Sequence, residues 1–291
     1  MTNDELRRIT EHIIELPAAP LIVAQILDLI DDPTTSATML ARLLASDQAL
    51  TARILKLANS SYYAFAKPIK TVQLAITLLG YQTVAGLALT LSFTRGFARS
   101  NREDEFDSLA FWEHSLTVAV VARGLARELD LTSGAELFTM GILHDIGKLI
   151  IHEYMHDRYL SIESRGRLYG EVSYEAEREV LGVDHAEIGG WLCESWNLPE
   201  EICHAVRYHH APAQAEGKLA CVVHLANLMC NRLGRSWPDV QHDDDELTVE
   251  CLPRLHLRQT KHEDLDWKYY EKMVSAEIER ASEFITLIKT V

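Results

Sequence analysis

The sequence has no apolar run long enough to cross a membrane. Charged residues interrupt each hydrophobic stretch well short of the ~20 residues that a membrane-spanning helix needs. The opening segment, Met1 to Arg8, is polar and charged, and it lacks the apolar region and cleavage site of a secretory signal. These absences predict a cytoplasmic protein with no membrane partner.

Cysteine is scarce, and its spacing suits neither a disulfide framework nor a zinc site. The five cysteines are odd in number and contain no Cys-x-x-Cys pair. We interpret them as free thiols of a reducing compartment that are mostly buried as small apolar residues. The residues are Cys193, Cys203, Cys221, Cys230 and Cys251.

Positive charge is also in deficit. Lys and Arg number 28 against 43 Asp and Glu, which gives a net charge of −15. Such an acidic surface repels nucleic-acid phosphates and anionic lipid headgroups. We therefore expect no nucleic-acid partner, unless the fold hides a basic patch.

Strand signals are missing, and helical periodicity takes their place. No stretch alternates apolar and polar residues with hairpin turns, so the chain is predicted to be all-α. The segment from Arg99 to Glu105 is charged and marks a domain boundary. The sequence thus predicts a two-part helical bundle, with an N-terminal helical subdomain over residues 1–100 and a second helical domain over residues 105–291. A last helix, Leu265 to Ile288, is expected to pack back on the bundle.

The first half shows no ionisable constellation. Its polar residues Lys56, Asn59, Ser60, Ser61 and Tyr62 lie where a helix is predicted to end. We interpret this group mainly as a capped and exposed helix terminus, and partner binding is the alternative.

His144 and Asp145 stand side by side in one of the most apolar segments of the chain. The predicted helix around them is apolar nearly all round, so it should be buried. A buried carboxylate without a partner costs several kcal/mol or neutralises through a pKa shift. We therefore expect Asp145 to be held by hydrogen bonds, by a cation, or by a metal ion that His144 also binds.

The second half contains further histidines in apolar surroundings, on four helices or their ends. Helical bundles hold divalent metal ions in their interior with imidazoles and carboxylates from several helices. For any single histidine the alternative is a core side chain that hydrogen-bonds a carbonyl or carboxylate. The candidate residues are His114, His144, Asp145, His185, His209 and His210.

Ordered short motifs resemble a known family. The segments Arg53–Ser60 and Ala75–Gly80 are similar to the helical signature of the HDOD module. The second half resembles the HD superfamily of metal-dependent phosphohydrolases, and the whole chain, from about Leu16 to Leu233, resembles an HDOD protein. The segments of the second half that fit are Phe111–Ser115, Leu143–Lys148, Gly182–Gly189, Trp196–Pro199 and Tyr208–His210.

The resemblance implies a metal site with one altered ligand. His114, His144 and Asp145 match ligands of the first metal in HD phosphohydrolases. A later aspartate of that site is replaced by Asn227. Because an amide oxygen is neutral, it should bind a cation more weakly and activate a bound water less. This departure argues against hydrolysis.

A second set of residues resembles the second-metal ligands of the HD-GYP phosphodiesterases, which cut cyclic dinucleotides. His185, His209 and His210 match those ligands, with Asp145 bridging the two metals. The Gly-Tyr-Pro motif of that subfamily is absent after the double histidine. Lys148 matches a residue that contacts substrate phosphate in phosphohydrolases, and a cation at a helix C-terminus is the reading we favour.

Competing functions follow from these residues. The first is a signalling protein that acts through an unknown signalling partner and keeps a degenerate metal site without hydrolase activity. The second is a metal-dependent phosphohydrolase acting on cyclic dinucleotides or nucleotides, and the third is a helical scaffold whose histidines bind no metal. The site, if loaded, should hold one or two divalent ions of Fe, Ni, Zn or Mn. The oligomeric state stays open, with a homo-oligomer among the alternatives.

Overall fold

The chain is α-helical throughout the part that the structure, a computed structural model, describes. Apart from turns, one 3-10 turn and one isolated bridge between Gln259 and Leu265, the regular structure of this part is helix. The all-α prediction is therefore confirmed. The residues described are 22, 25–26, 29, 35–97, 106–169, 172–235, 251–261 and 265–289.

Within residues 35–97, four helices form the described part of the first unit. Their polar N-cap residues, Ser36, Asp47 and Thr71, each accept a hydrogen bond from the backbone N–H three positions further on. A cap of this kind stabilises a helix by about 1 kcal/mol. The helices are α1 (Ala37–Ala45), α2 (Gln48–Ala58), α3 (Val72–Leu79) and α4 (Tyr81–Phe97).

The second unit begins with α5, which spans Ser108–Glu128 and is buried over most of its length. It contacts α6, α12 and α13, so it forms the centre of this unit. Residues 251–255, which precede α13, are also helical. The remaining helices are α6 (Gly134–Leu143), α7 (Ile146–Tyr154), α8 (His156–Tyr169), α9 (Ser173–Leu181), α10 (His185–Ser195), α11 (Glu200–Arg207), α12 (Leu219–Arg232) and α13 (Trp267–Lys289).

The two units share one continuous hydrophobic core. The aromatic rings of Tyr62 and Tyr63, from the first unit, pack on Phe284 of α13. The predicted boundary segment, residues 99–105, lies outside the described residues, so the division into two domains stays a prediction. The last helix was predicted over Leu265 to Ile288, and the structure places α13 in almost the same span.

The apolar segment around His144 is interrupted, where the sequence predicts one continuous helix. Helix α6 ends at Leu143 and α7 begins at Ile146, so His144 and Asp145 form the junction between them. Both side chains are buried in this turn.

Two glycines allow the helices around this junction to approach closely. A Cβ on Gly141 would lie 2.5 Å from Cα of Ala119 in α5. A Cβ on Gly147 would lie 2.0 Å from the carbonyl oxygen of His185 at the start of α10. Because no larger residue fits either place, these glycines fix the distance between the junction and its two neighbouring helices.

All five cysteines are buried and form no disulfide, as predicted. No helix in the described ranges combines the length and the hydrophobicity that spanning a membrane would require.

Candidate metal centre

The predicted histidines and aspartate converge inside the second unit. His114 lies on α5, and His144 and Asp145 form the α6–α7 junction. His185 is the first residue of α10, and His209 and His210 lie in the turn after α11. Helix ends and junctions thus supply all of these residues except His114.

Asp145 lies at the centre of the group, and each of its oxygens faces a different pair of imidazoles. Oδ1 lies 3.0 Å from Nε2 of His185 and 3.5 Å from Nε2 of His209. Oδ2 lies 3.5 Å from Nε2 of His144 and 3.7 Å from Nε2 of His114. The carboxylate therefore stands between two sets of nitrogen atoms.

Two overlapping groups could each hold a metal ion, and both contain Asp145. In each group the candidate ligand atoms lie within 4.8 Å of one another. The larger group is Asp145, His185, His209 and His210, and the smaller is His114, His144 and Asp145. A shared carboxylate between two imidazole clusters is a suitable arrangement for one or two divalent cations.

Hydrogen bonds fix the orientation of these imidazole rings. In four of the rings Nδ1 donates its proton to a carbonyl or carboxylate oxygen, so Nε2 faces the centre and can bind a metal ion when it carries no proton. Histidine ligands of metal ions are commonly held in this way. The pairs are His114 with Arg235 O at 2.8 Å, His144 with Gly141 O at 2.8 Å, His209 with Val206 O at 2.7 Å, and His185 with Glu177 Oε2 at 2.7 Å.

Glu177 is a buried carboxylate that the sequence did not reveal. Its Oε2 accepts hydrogen bonds from both the backbone N–H and the Nδ1–H of His185, and Oε1 accepts one from Ser173. Burial alone would lower the pKa of His185, but the carboxylates of Glu177 and Asp145 raise it to about 9. Only the burial of α9 against its neighbours, which depends on tertiary structure, distinguishes Glu177 from the exposed glutamates of that helix.

Burial favours the neutral form of three other imidazoles of the centre, His114, His144 and His210. Burial lowers the pKa of His114, and it lowers those of His144 and His210 far below the ordinary value. Burial would raise the pKa of Asp145, but His144, Lys148 and His185 hold it well below its ordinary value. Neutral imidazoles and an ionised carboxylate are the protonation states that metal ligation requires.

The centre gathers more acceptors than donors. Nε2 of His185 lies 3.0 Å from Nε2 of His210 and 3.4 Å from Nε2 of His209. Nε2 of His144 is buried without a hydrogen-bond partner among the described residues. Lone pairs at these distances repel each other unless a proton on His185 or a metal ion lies between them. The residues present therefore fit a divalent cation.

Lys148 contacts the centre directly. Its Nζ lies 2.7 Å from Oδ2 of Asp145, and its side chain is 15% exposed. Lys148 is in the first turn of α7, so its interpretation as a cation at a helix C-terminus is wrong. It is the cation that pairs with the buried carboxylate.

Asn227 lies on α12 at the edge of the smaller group. Its side chain lies beside the imidazole of His114, and its Oδ1 accepts a hydrogen bond from Nδ2 of Asn231 at 3.3 Å. One turn earlier, Nδ1 of His224 donates to the carbonyl oxygen of His209 at 2.9 Å. Helix α12 thus contacts both groups, through Asn227 on one side and His224 on the other.

A comparison with known protein families finds that the sequence model of the HDOD domain family matches residues 16–212 of this chain. A crystal structure of an HDOD domain protein of unknown function from Geobacter sulfurreducens is similar over 99% of this chain and 98% of its own, with a TM-score of 0.74 and 24% identity. A candidate phosphohydrolase from Shewanella amazonensis is similar over 96% and 97% of the two chains, with a TM-score of 0.73 and 24% identity. At these identities the two structures establish the fold.

Two curated proteins are related in sequence. An uncharacterized protein of Treponema pallidum is 25% identical over 254 residues, which are 86% of this chain and 47% of that protein. Ribonuclease Y of Thermus thermophilus is 32% identical over 117 residues, which are 40% of this chain and 16% of the enzyme. The chain thus spans about half of the first relative's length and much less of the second.

Proposed function

The chain belongs to the HDOD domain family, and we propose that it is a regulatory protein of this family that binds a divalent transition-metal ion and acts through a partner protein. The position of Asp145 between two sets of imidazoles supports the metal site most strongly. The short distances from Nε2 of His185 to Nε2 of His209 and of His210 also support it, because a cation would take the place of the proton that His185 otherwise carries there.

We propose that the larger group holds the tighter ion. His185, His209, His210 and Asp145 supply three imidazoles and one carboxylate, a set that suits Fe, Ni, Zn or Mn. The smaller group offers His114, His144 and Asp145, with Asn227 beside His114. Because Asn227 carries no charge, a second ion is expected to bind there more weakly.

Under this proposal the metal has a structural and regulatory role. It would link α5, the α6–α7 junction, α10 and the turn after α11, and binding energy would then stabilise the second unit. A partner that contacts these elements would respond to the presence of the metal. The reducing compartment expected from the free thiols is compatible with such a role.

The second candidate is a phosphohydrolase, and Lys148 is the observation that favours it. Its partly exposed ammonium group lies beside Asp145, where it could contact an anionic substrate. A divalent ion would act there as a Lewis acid toward a phosphate oxygen. Ribonuclease Y, which matches 40% of this chain, is a ribonuclease by name. Asn227 weighs against this candidate because it weakens the smaller group.

Turnover by the metal-loaded protein separates the two candidates. The protein would be loaded with Mn²⁺, Zn²⁺ or Fe²⁺ and tested with cyclic dinucleotides and a generic phosphodiester. The proposal predicts metal binding without turnover above the rate of the Asp145→Ala variant. Turnover that Asp145→Ala abolishes would establish the hydrolase instead, and failure to bind any of these metals would contradict both.

A further inference from the structure

Residues 35–97, the described stretch that contains α1 to α4, carry a charge opposite to that of the whole protein. Residues 35–97 contain six Lys and Arg residues against a single Asp, so their net charge is 6 − 1 = +5. The complete chain has a net charge of −15. The composition of the whole chain conceals this basic segment.

Several positively charged side chains of this unit make no ion pair within the described part of the chain. Arg42, Lys56, Lys67 and Lys70 are exposed and form no ion pair with another described residue. Arginines of the second unit form ion pairs with carboxylates instead. The second-unit pairs include Arg127–Glu277, Arg178–Asp184, Arg207–Glu194 and Arg258–Asp266.

Exposed apolar side chains accompany the free lysines. Among the described residues, four of the six exposed large apolar side chains lie in this unit: Met39, Phe65, Leu74 and Leu78. Leu74 and Leu78 are separated by one turn of α3 and are 39% and 46% exposed. Exposed apolar residues that are grouped and ringed by charge indicate an interaction surface more than scattered ones do.

Two hydrogen bonds join the loop before α3 to the end of α2. Asn59, at the end of α2, donates through Nδ2 to the carbonyl oxygen of Ile69 at 2.8 Å and accepts through Oδ1 from its N–H at 2.7 Å. Lys56 lies one turn before Asn59, and Lys70 directly follows Ile69. This pair of hydrogen bonds therefore holds the two lysines at the junction from which α3 starts.

We propose that these residues form a docking surface for an acidic amphipathic helix of a partner protein. The surface, which we call the basic–apolar surface, consists of Lys56, Phe65, Lys67, Lys70, Leu74 and Leu78. Its lysines complement glutamate and aspartate side chains, and its leucines complement the apolar face of a helix. Phosphate binding would make no use of the exposed leucines, so a protein partner fits better than a nucleic acid. The inference rests on the proposed function only because a regulatory protein needs a partner surface.

A peptide of matching chemistry tests the surface directly. The probe is a fluorescent amphipathic peptide of about 18 residues, with leucines at helical spacing and glutamates elsewhere. Its binding to the full chain is measured by anisotropy at ~0.15 M salt, where weak surface electrostatics are screened. A peptide with lysine in place of glutamate and an oligothymidylate of ~20 nucleotides serve as comparison probes.

Matched variants identify the residues involved. Lys67→Glu with Lys70→Glu, and Leu74→Ser with Leu78→Ser, should each weaken binding of the acidic peptide at least about tenfold. Lys268→Glu on α13 and Leu160→Ser on α8 are the controls, because both residues are exposed and lie outside the surface. These controls should leave the affinity unchanged.

Other results would overturn the proposal. They are absent or equal binding of the acidic peptide to all variants, tighter binding of the oligothymidylate, or self-association of the chain that Lys67→Glu with Lys70→Glu abolishes. Metal content is measured on the same samples. If the natural chain retains its metal but does not bind the acidic peptide, the docking surface is contradicted and the metal proposal stays intact.

Discussion

Nε2 of His185 lies 3.0 Å from Oδ1 of Asp145, at the point where α10 meets the α6–α7 junction. The other ring nitrogen of His185 donates to Glu177 at 2.7 Å. The imidazole is therefore held between two buried carboxylates. Its position in the centre depends on Glu177 as well as on Asp145.

Glu177→Gln should weaken metal binding without removing a ligand. The amide loses the negative charge that orients and polarises His185, and changes of this kind reduce metal affinity by about 10–100-fold. Titration calorimetry of the apo-protein with Zn²⁺ or Mn²⁺ measures the effect. Glu179→Gln, on the same helix but 67% exposed, is the control. Equal affinities in both variants would show that Glu177 does not support the centre.

Gly147→Ala should destabilise the protein and disturb the centre together. The added Cβ would lie 2.0 Å from the carbonyl oxygen of His185, so α7 and α10 would have to separate. Overpacking of this kind typically lowers the free energy of unfolding by ~1–3 kcal/mol. Because the added Cβ would meet a backbone atom, we expect a loss near the upper end of that range. Gly134→Ala, where the nearest atom is 3.7 Å away, should be neutral or slightly stabilising. Urea unfolding of both variants measures their free energies of unfolding and tests this difference.

The residues of the centre were predictable in type but not in geometry. Imidazoles such as His114 and His185 are noticeable because they interrupt apolar helices. Glu177 could not be found in this way, since its helix carries other glutamates that stay exposed. Lys148 was misread because the break between α6 and α7 leaves no trace in an apolar sequence, and that break places it at a helix start. Tertiary packing, which the local sequence does not encode, determines both the burial of Glu177 and the position of Lys148.

Asn227→Asp should raise the affinity of the smaller group for a divalent ion. The change introduces a carboxylate beside His114, where charge favours cation binding. An increase of at least about tenfold in the affinity of the weaker site is expected, corresponding to ~1.4 kcal/mol. Asn231→Asp adds the same charge one turn further along α12 and serves as the control. If the two variants have the same affinity, Asn227 lies outside the ligand set.

The buried Glu277 makes its arginine partners important for stability. Glu277 is 2% exposed and contacts Arg127 and Arg280, both of which are more than half exposed. Replacing both arginines with alanine leaves a buried carboxylate unpaired, so we expect a loss of about 2–4 kcal/mol, reduced by solvent screening. Arg258→Ala, whose pair with Asp266 is exposed, should cost under ~1 kcal/mol. Similar unfolding free energies for the two variants would contradict this account.

The thiols should be unreactive in the folded protein. All five cysteines are buried, and burial, with Glu194 nearby, raises the pKa of Cys203 to about 11. At pH 8 the fraction of thiolate is therefore far below that of an ordinary cysteine, and it increases only as the pH approaches 11. Ellman's reagent should label almost none of the five in the native state and all of them in guanidinium chloride. Rapid native labelling at pH 8 would contradict the burial.

The metal content of the protein tests the central claim most directly. The chain would be expressed and purified without an affinity tag, and its transition metals would be quantified by mass spectrometry beside Asp145→Ala purified in the same way. The account predicts at least one Fe, Ni, Zn or Mn ion per chain in the natural sequence and a large loss in Asp145→Ala. A natural protein without stoichiometric metal, which also fails to bind these ions when they are added, would contradict it.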